Sequence, residues 1–351
     1  MNKLILWVLA VTLVCGYMVL SSCSNEDEPS APDKAYTGVP LVILDTDICS
    51  STDDLFALEM LCRYDDKKLC RFLGVVVDRE GEENADFADV MNTYFGHPDV
   101  PVGLVKDGIK NPKVWIDYAY VAYMTEADGI TPMFQRTNQT GIRPDGYQLY
   151  RRLLSQQPDH SVSIVSIGFL TSLAQLLQSE ADEYSALSGV ELVRQKVKCI
   201  YLQGGVFGDS EEADYNFVQG IPFTQTFFEL WPKDVDMVFS PMEVGQDVDY
   251  TPEQVIADVS WTDRHPIKQV YLACECDTGQ RMWDPMCVIQ TVEGDALFSL
   301  SERGTISITP QAQTIFTPSA TGNVRYQKPG DAQWVAMMLE KIRVMNKMDT
   351  F

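Results

Sequence analysis

The chain has 351 residues, enough to bury a large hydrophobic core in one or two domains. Its formal net charge is −23. Such an acidic surface argues against nucleic acid or anionic lipid as a partner, and it suits a neutral small molecule and a divalent cation.

The amino-terminal segment has the pattern of a bacterial lipoprotein signal peptide. Lys3 precedes an apolar run over residues 4–20, and Leu20-Ser21-Ser22-Cys23 has the form of a lipobox. A plain transmembrane anchor is the alternative, but the run is barely long enough to span and no Lys/Arg cluster follows it. We expect an exported lipoprotein of the bacterial outer membrane, held there only by its lipid. Its parts are a signal peptide at 1–22, a lipidated Cys23, a flexible acidic tether at 23–38 and one domain at 39–351.

The domain opens with a buried strand and four aspartates, in the sequence LVILDTDICSSTDDLFAL. Residues 41–44 are apolar, so we expect a strand there and then a helix capped by Thr52. The aspartates are Asp45, Asp47, Asp53 and Asp54. One or two of them could serve only as caps or turn residues. Four carboxylates at the carboxyl end of a strand, however, lie where open α/β sheets bind ligands, and their repulsion calls for protons or a hard cation such as Ca²⁺ or Mg²⁺.

Strand and helix patterns alternate along the rest of the chain. Apolar runs predict strands at 70–77, 99–105, 161–168, 197–205 and 234–240. Amphipathic patterns predict helices at 83–96, 147–157, 169–180, 251–260 and 331–347. Residues 106–143 are irregular, which is typical of an active-site wall or lid. The alternation predicts an α/β fold with a mostly parallel central sheet flanked by helices on both faces.

Three later segments carry notable residues at strand exits or turns. They are Ile167-Gly168-Phe169-Leu170-Thr171, Gly204-Gly205 followed by Asp214-Tyr215-Asn216, and Arg281-Met282-Trp283-Asp284-Pro285. Together with the first aspartates, and in this order, they resemble the motifs of the inosine-uridine-preferring nucleoside hydrolase family over about residues 40 to 345. That family has a nucleoside-hydrolase-like open α/β sandwich fold. Its members are usually dimers or tetramers, so the resemblance implies a homo-oligomer.

The resemblance implies Ca²⁺-dependent hydrolysis of the N-glycosidic bond of a nucleoside, in an exported scavenging enzyme. The implied cation ligands are Asp47, Asp54, Asp284 and the carbonyl oxygen of Ile167. Asp47 would also deprotonate the attacking water. The implied sugar-binding residues are Asp53, Asp214 and Asn216, with Asp45 orienting its neighbours. The chemistry is consistent with these residues, because carboxylates stabilise an oxocarbenium-like sugar and a carboxylate can act as base towards water.

The chain departs from the family pattern at several positions. Five residues, 48–52, separate the two aspartate pairs where three are usual, and the longer form of this loop usually has Gly at Cys49 and often Asp at Ser51. The Asn that many members carry after the second strand has no clear match, and Asp78 is the nearest polar candidate. Asp214 stands where Glu is usual, so a sugar contact could weaken or pass through water.

The group that activates the leaving base is open. Trp283 occupies a place where many members have a His, and this resembles the purine-preferring branch, in which an aromatic ring stacks on the base. Trp283 could equally be a buried helix-start residue. Trp115 and Tyr118 are candidates for an opposite stacking face. The three histidines are all expected at the periphery: His97, His160 and His265.

Two other functions compete with nucleoside hydrolysis. A haloacid-dehalogenase-type phosphatase also begins with Asp-x-Asp after a strand, but Cys49 stands where that family has Thr or Val. A non-catalytic nucleoside- or sugar-binding lipoprotein could use the same fold. Retention of Asp47, Asp54 and Asp284 together favours the enzyme. Cys274-Glu-Cys276 offers only two thiols and no nearby His, so a zinc site is disfavoured.

Overall fold

A computed structural model describes residues 37–347 except 139–140, 209, 211 and 275–279. The described residues from Gly38 onward form one compact unit. The predicted signal peptide, Cys23 and nearly all of the predicted tether lie outside the described residues. In the part of the chain that is described, no helix has the length and apolar character needed to cross a membrane.

Ten of the described strands form one sheet, in the order β11-β10-β12-β6-β5-β4-β1-β2-β3, with β9 paired to β12. Neighbouring strands from β12 to β3 are parallel, whereas β9, β10 and β11 pair antiparallel. This confirms the prediction of a mostly parallel sheet. The strands are β1 Leu41–Thr46, β2 Arg71–Val77, β3 Val102–Leu104, β4 Val162–Ser166, β5 Val197–Gln203, β6 Asp236–Ser240, β9 Ser299–Leu300, β10 Gly304–Ile308, β11 Thr314–Pro318 and β12 Val324–Lys328, with β7 Asp249–Tyr250 and β8 Gln280–Arg281 forming a separate pair.

Helices cover both faces of this sheet, as the alternating pattern predicts. They are α1 Asp53–Asp66, α2 Glu82–Tyr94, α3 Gly146–Ser155, α4 Thr171–Gln178, α5 Gly189–Lys196, α6 Tyr215–Val218, α7 Ile221–Leu230, α8 Met242–Gly245, α9 Pro252–Asp258, α10 Pro266–Ala273, α11 Asp284–Glu293 and α12 Ala332–Asn346. Short 3₁₀ turns occur at Ala119–Tyr123 and Asp295–Leu297.

The hydrophobic core is divided by the sheet into two parts. Val42 and Leu44 belong to the part under α1, α2 and α11, whereas Ile43 belongs to the part under α3, α4 and α7. Successive side chains of a strand point to opposite faces, so residues 42–44 of β1 must all be apolar to serve both parts. Its residues 42–46 are all buried, which explains the continuous apolar run in the sequence.

The strand order reverses between β1 and β4. The chain builds β1, β2 and β3 outward in one direction, then returns to place β4 on the other side of β1. Loops leaving β1 and β4 therefore diverge and leave a crevice at the carboxyl ends of these strands. The first aspartates and the Ile167-Gly168 turn are both located there.

Helix α1 begins where the sequence predicts, but the expected cap is wrong. Thr52 precedes the helix and makes no side-chain capping hydrogen bond. Its hydroxyl lies 3.0 Å from that of Tyr271 in α10. The buried Tyr271 offers a partner that sequence spacing cannot show, so tertiary contact replaces the local cap.

Candidate active site

The loop between β1 and α1 is folded around the carboxylates that it carries. The Thr46 hydroxyl donates to Asp54 Oδ1, and the Ser51 hydroxyl lies 2.6 Å from Asp53 Oδ1 and 3.2 Å from Asp54 Oδ2. Cys49 has a positive φ of 79°, a conformation that favours glycine. The two additional residues of this loop are therefore accommodated at the cost of local strain at Cys49.

Three buried carboxylates form the centre of the site. Oxygens of Asp53, Asp54 and Asp284 all lie within 4.8 Å of one another. Asp284 reaches the group from the start of α11, more than 200 residues along the chain from the other two. The sequence predicts Asp54 and Asp284 as cation ligands but assigns Asp53 to a sugar hydroxyl. The structure places Asp53 within the same cluster as the two predicted ligands.

Asp53 is held in place by the start of α11. Its Oδ2 accepts hydrogen bonds from the backbone N–H groups of Trp283, at 3.2 Å, and Asp284, at 3.3 Å. This contact joins the amino-terminal ends of α1 and α11. It also fixes the distance between the first aspartate motif and the late one.

The electrostatics of the cluster fit a hard cation. Burial raises the pKa of Asp54 and of Asp284 well above the ordinary range, and repulsion from neighbouring aspartates raises both further. Burying several carboxylates together is unfavourable unless protons or a cation neutralise them. The donors are all oxygens, which divalent calcium and magnesium prefer. The residues present therefore fit the metal site that the sequence predicts.

Asp47 lies beside this cluster, but no oxygen of Asp47 belongs to the close group. Burial raises its pKa to about 7, whereas the Arg79 guanidinium lowers it and Asp53 raises it. Asp47 in turn raises the pKa of Asp54 and Asp284 through charge repulsion. Its predicted roles as ligand and as base stay predictions. A carboxylate whose pKa is close to neutral can accept a proton near physiological pH.

Asp45 lies beneath the cluster and is fully buried. Its oxygens accept hydrogen bonds from the Tyr150 hydroxyl at 2.8 Å and the Ser166 hydroxyl at 3.3 Å. A further hydrogen bond joins Asp45 to Asp78, and burial raises the pKa of both carboxyls, that of Asp78 to about 6. Asp78 itself accepts from the backbone N–H of Ser172 at 3.0 Å. The pair therefore links the exits of β1 and β2 to the start of α4, and the orienting role of Asp45 stays a prediction.

We call the residues that follow β1 and β4 the floor of the site. The residues that follow β4 contact those that follow β1. The Ile167 N–H donates to Asp45 O at 2.8 Å, and the Ile167 carbonyl accepts from Asn216 Nδ2 at 3.2 Å. A Cβ atom on Gly168 would lie 2.4 Å from the backbone nitrogen of Asp47. Only glycine therefore allows the β4 exit to approach the β1 exit this closely. The predicted ligand atom of Ile167 is thereby placed at the crevice.

Asp214 and Asn216 lie together at the start of α6, and we call the segment that carries them the second wall of the site. Asp214 Oδ1 accepts from the backbone N–H of Asn216 at 2.9 Å, and Asn216 Nδ2 donates to Gln203 Oε1 at 2.7 Å. Burial raises the pKa of Asp214 to about 7, and the nearby charge of Glu243 contributes. Both residues were predicted to bind sugar hydroxyls, and no contact in the structure tests that role.

Glu243 is a further polar residue of this wall that the sequence did not indicate. Its Oε1 accepts from the backbone N–H groups of Phe207 and Gly208, each at 2.8 Å. Its Oε2 is buried without a hydrogen-bond partner among the described residues. The Pro-Met-Glu sequence that contains it follows β6, so its place after a strand was the only signal available.

Trp283 is half-buried and fixed at the rim. Its indole N–H donates to Met242 O at 2.9 Å, and its backbone N–H binds Asp53. The ring is anchored and still partly exposed, so both interpretations of Trp283 stay predictions.

The irregular segment 106–143 packs against the first loop. The Tyr118 hydroxyl accepts from Cys49 N at 2.9 Å and donates to Ser51 O at 2.6 Å. Tyr118 is completely buried, so its predicted role as a stacking face is wrong. Trp115 is 60% exposed and its ring lies 6.0 Å from that of Tyr215. Trp115 therefore stays a candidate for the opposite face.

Two groups of residues lie away from this site. Cys62, Cys70 and Cys199 are buried free thiols. His160 is exposed and His97 pairs with Asp66, as expected for peripheral residues. His265 is fully buried, however, so the prediction that it is peripheral is wrong. The helix start at Pro266 packs it against Tyr94 and Phe95, and burial lowers its pKa to about 3.

Solved structures with this fold include several nucleoside hydrolases. An inosine-uridine preferring nucleoside hydrolase from Bacillus anthracis shares 17% identity, covers 88% of this chain and 100% of its own, and gives a TM-score of 0.66. A purine-preferring ribonucleoside hydrolase from Gardnerella vaginalis shares 15% identity over 88% and 99% of the two chains, with a TM-score of 0.61. An inosine-guanosine nucleoside hydrolase shares 14% identity over 88% and 99%, with a TM-score of 0.66. At these identities the likeness shows the fold.

The sequence itself carries the family assignment. No curated protein matches the chain. The family model described as inosine-uridine preferring nucleoside hydrolase matches residues 42–347, which include every element of the site. The chain therefore belongs to the inosine-uridine preferring nucleoside hydrolase family, whose members hydrolyse N-glycosidic bonds.

Proposed function

We propose that this protein is a Ca²⁺-dependent nucleoside hydrolase that releases the free base and ribose from purine ribonucleosides. The observation that carries the proposal is the buried group of Asp53, Asp54 and Asp284 beside Asp47, in a chain of this family. Oxygen ligands and the buried negative charge suit calcium, which is the cation that the family resemblance implies. The binding-only alternative is not favoured, because family and fold both indicate hydrolysis.

The reaction would use the residues of the floor in defined roles. Asp54 and Asp284, with Asp53 or Asp47 and the Ile167 carbonyl, would hold the cation, which when bound supplies positive charge that favours the ionisation of water. Asp47 takes a proton from the attacking water as the water oxygen bonds to the anomeric carbon. The bond from that carbon to the base nitrogen breaks, and its electron pair leaves with the base. Surrounding carboxylates stabilise the positive charge that develops on the sugar.

Residues of the second wall would bind the hydroxyl groups of the sugar. Asn216, which is bonded to Asp214, also bonds to the Ile167 carbonyl, and Asp53 is the predicted contact within the cluster. Hydroxyl contacts align the anomeric carbon with Asp47, so binding energy far from the reacting bond is used for orientation.

A preference for purines is inferred from the anchored indole of Trp283. Its N–H is committed to Met242, so the face of the ring is the part offered to a ligand. The larger ring system of a purine gives a larger stacking area than a pyrimidine. Trp115 would bound the base from the other side.

We further infer the setting of the enzyme from its first residues. The lipobox ending at Cys23 would anchor the mature protein to the outer membrane by lipid, and residues 23–38 would tether the domain. Homo-oligomerisation is inferred because members of this family are usually dimers or tetramers. Mass photometry of the purified domain measures the oligomeric state, and metabolic labelling with an alkyne fatty acid in cells that carry Cys23→Ser tests the anchor.

The proposed activity is tested by base release from a panel of ribonucleosides. The soluble protein 24–351 is assayed with Ca²⁺ and with a chelator, and the free bases are separated chromatographically. Chelator-sensitive release of purines in preference to pyrimidines is the expected result. Release of pyrimidines only would contradict the stacking role of Trp283. If a folded protein that binds Ca²⁺ released no base at all, the proposed function would be wrong.

A further inference from the structure

Arg79 lies at the same edge of the sheet as the predicted base, Asp47. Strands β1 and β2 are parallel, and Thr46 is in register with Val77. The N–H of Asp78 donates to Thr46 O at 2.8 Å, which carries this alignment past the end of both strands. Asp47 and Arg79 therefore leave neighbouring strands close together. The positive charge of the Arg79 guanidinium also acts on the Asp47 carboxylate and on the Tyr215 phenol. Arg79 therefore lies near the floor, through Asp47, and near the second wall, through Tyr215.

The guanidinium of Arg79 has no hydrogen-bond or ion-pair partner among the described residues. The residue is only 8% exposed, and its Nη1 is completely enclosed without a partner. Buried arginines are normally paired, because an enclosed donor without an acceptor costs free energy. The attraction of nearby aspartates explains a positive charge here, but it does not supply the missing acceptor. Among the described residues, no acceptor therefore satisfies this guanidinium.

The rest of the site offers mostly acceptors. Ionised carboxylates accept hydrogen bonds only. The amide of Asn216 donates to Ile167 and Gln203, the phenol of Tyr215 donates to Lys113 O, and the indole of Trp283 donates to Met242. Each of these described donors already has a partner within the protein. Arg79 is therefore a charged hydrogen-bond donor that is able to bind the substrate.

The proposed reaction has one step that requires such a donor. When the glycosidic bond breaks, the electron pair moves onto the base, which becomes more negative as it departs. The histidines cannot supply the donor, because His265 is buried elsewhere and His97 and His160 are outside the site. Sugar hydroxyls can donate to the carboxylates, but the base needs a hydrogen-bond donor of its own.

We propose that Arg79 is a catalytic residue whose unpartnered guanidinium donates an N–H from its exposed part to the departing base. This inference rests on the proposed function. The guanidinium keeps its proton, because arginine is not deprotonated in proteins, and it stabilises the electron pair by charge and hydrogen bonding. The base nitrogen then takes a proton from solvent, while the proton of the attacking water goes to Asp47. The purine ring would be held between an aromatic face and a charged donor.

Substrates with different leaving groups test this role. Arg79→Met keeps an unbranched apolar stem and removes the charge and the N–H groups. The kcat/KM of the variant is measured on two substrates. One is inosine, whose base is a poor leaving group, and the other is 4-nitrophenyl β-D-ribofuranoside, whose nitrophenolate leaves without the help of a hydrogen-bond donor. We expect a loss of about 10² to 10³-fold on inosine, the size seen when a donor to a developing anion is removed, and a loss below about 5-fold on the nitrophenyl riboside.

Equal losses on both substrates would overturn the proposal, since they would place Arg79 on the side of Asp47 and the attacking water. Unchanged turnover of inosine would also overturn it. A wild-type protein that cleaves neither substrate would refute the proposed function instead, so the two failures are distinguishable. The matched control is Arg194→Met, because Arg194 is an exposed residue paired with Asp234 on the surface. This control is expected to match the wild type on both substrates.

A second variant keeps the test valid if Arg79→Met does not fold. Arg79→Lys retains the charge but not the planar fork of donors. We expect it to lose more activity on inosine than on the nitrophenyl riboside, by about 10-fold. Circular dichroism and calorimetric Ca²⁺ titration confirm that fold and cation site are intact in each variant. A selective loss on inosine in a protein that binds Ca²⁺ normally supports the assignment, and a parallel loss on both substrates refutes it.

Discussion

Asp47 is distinguished from its neighbours by what it contacts. It lies beside the close group of carboxylates without belonging to it, and its pKa of about 7 reflects burial opposed by Arg79. A residue in that position can exchange a proton without dismantling the cluster. We therefore expect Asp47→Asn to reduce kcat by at least about 10²-fold, because an amide cannot accept the proton of water.

Binding of the sugar should respond far less to the same substitution. Calorimetric titration with ribose is expected to give an affinity within about 5-fold of the wild type, since Asp214, Asn216 and Asp53 are unchanged. Asp66→Asn, on the exposed end of α1, serves as the control for loss of one carboxylate. A variant that loses ribose affinity as much as turnover would show that Asp47 acts through binding alone.

At position 49 we expect glycine to give a more stable protein than alanine, which is the reverse of the usual order. The φ of 79° at Cys49 costs any residue with a Cβ atom about 1 kcal/mol, whereas glycine adopts it freely. Elsewhere glycine is usually less stable than alanine by up to about 1 kcal/mol. We expect Cys49→Gly to unfold at a higher denaturant concentration than Cys49→Ala. The opposite order in urea unfolding curves would mean that the loop is not strained at this residue.

At the scale of elements, the β4 exit depends on one glycine. A Cβ on Gly168 would meet the backbone of Asp47 at 2.4 Å and of Thr46 at 2.6 Å, and neither atom can move without shifting β1. We expect Gly168→Ala to lower the free energy of unfolding by about 3 kcal/mol. Ca²⁺ affinity should fall as well, because the aspartates and the Ile167 carbonyl are pushed apart.

The control for this substitution is Gly129→Ala. Gly129 has a positive φ of 68° and open space around its Cα, so alanine there should cost only about 1 kcal/mol of backbone strain. Chemical unfolding and Ca²⁺ titration are measured on both variants. Normal Ca²⁺ affinity in Gly168→Ala would show that the two strand exits can separate without harm to the cation site.

The central elements were predictable because the sheet makes simple demands on sequence. Strands β1, β2, β4, β5 and β6 need apolar residues for both faces, and this leaves continuous runs. The hairpin of β10 and β11 was missed because its strands alternate between more and less exposed residues and so leave no continuous apolar run. Such segments are hard to distinguish from polar loops.

The candidate site shows the same division. Aspartates clustered after a strand give a strong local pattern, so most of the floor was found. Arg79 gave no such pattern, because one arginine after a strand reads as a surface residue until its burial is known. His265 was misplaced for a similar reason, since the His-Pro sequence suggests a turn but here starts helix α10. Partners from distant elements decide such cases, and sequence spacing does not contain them.

At the scale of the whole molecule, buried acids should make stability depend on pH. Burial raises the pKa of Asp214 and of Glu59 to about 7, from ordinary values of 3.8 and 4.5. A raised pKa means that the neutral form is favoured in the folded state. The stability it contributes is complete below about pH 4 and is lost as pH rises towards 7. In chelator, therefore, we expect the Tm to fall over this interval.

Calcium should remove much of that loss. A cation that binds only the folded state stabilises it by mass action, and its ligands must be ionised, so the gain grows with pH. Differential scanning calorimetry from pH 4 to 8 with and without Ca²⁺ measures both effects. If the two series of Tm values ran parallel across this range, the acidic cluster would not be the binding site. His265 works in the opposite sense, because its lowered pKa costs stability only as pH falls from 6.5 towards 3.

The hydroxyl of Tyr118 ties the irregular wall to the loop that carries the aspartates. It bonds both Cys49 and Ser51, and Ile116 adds a backbone bond to Ser50 at 3.1 Å. A cation that orders the loop must therefore steady the wall. By thermodynamic reciprocity, a ligand that steadies the wall must tighten cation binding by the same factor. Substrate and cation would then be effectors of each other, coupled through the Tyr118 phenol and the Ile116 amide.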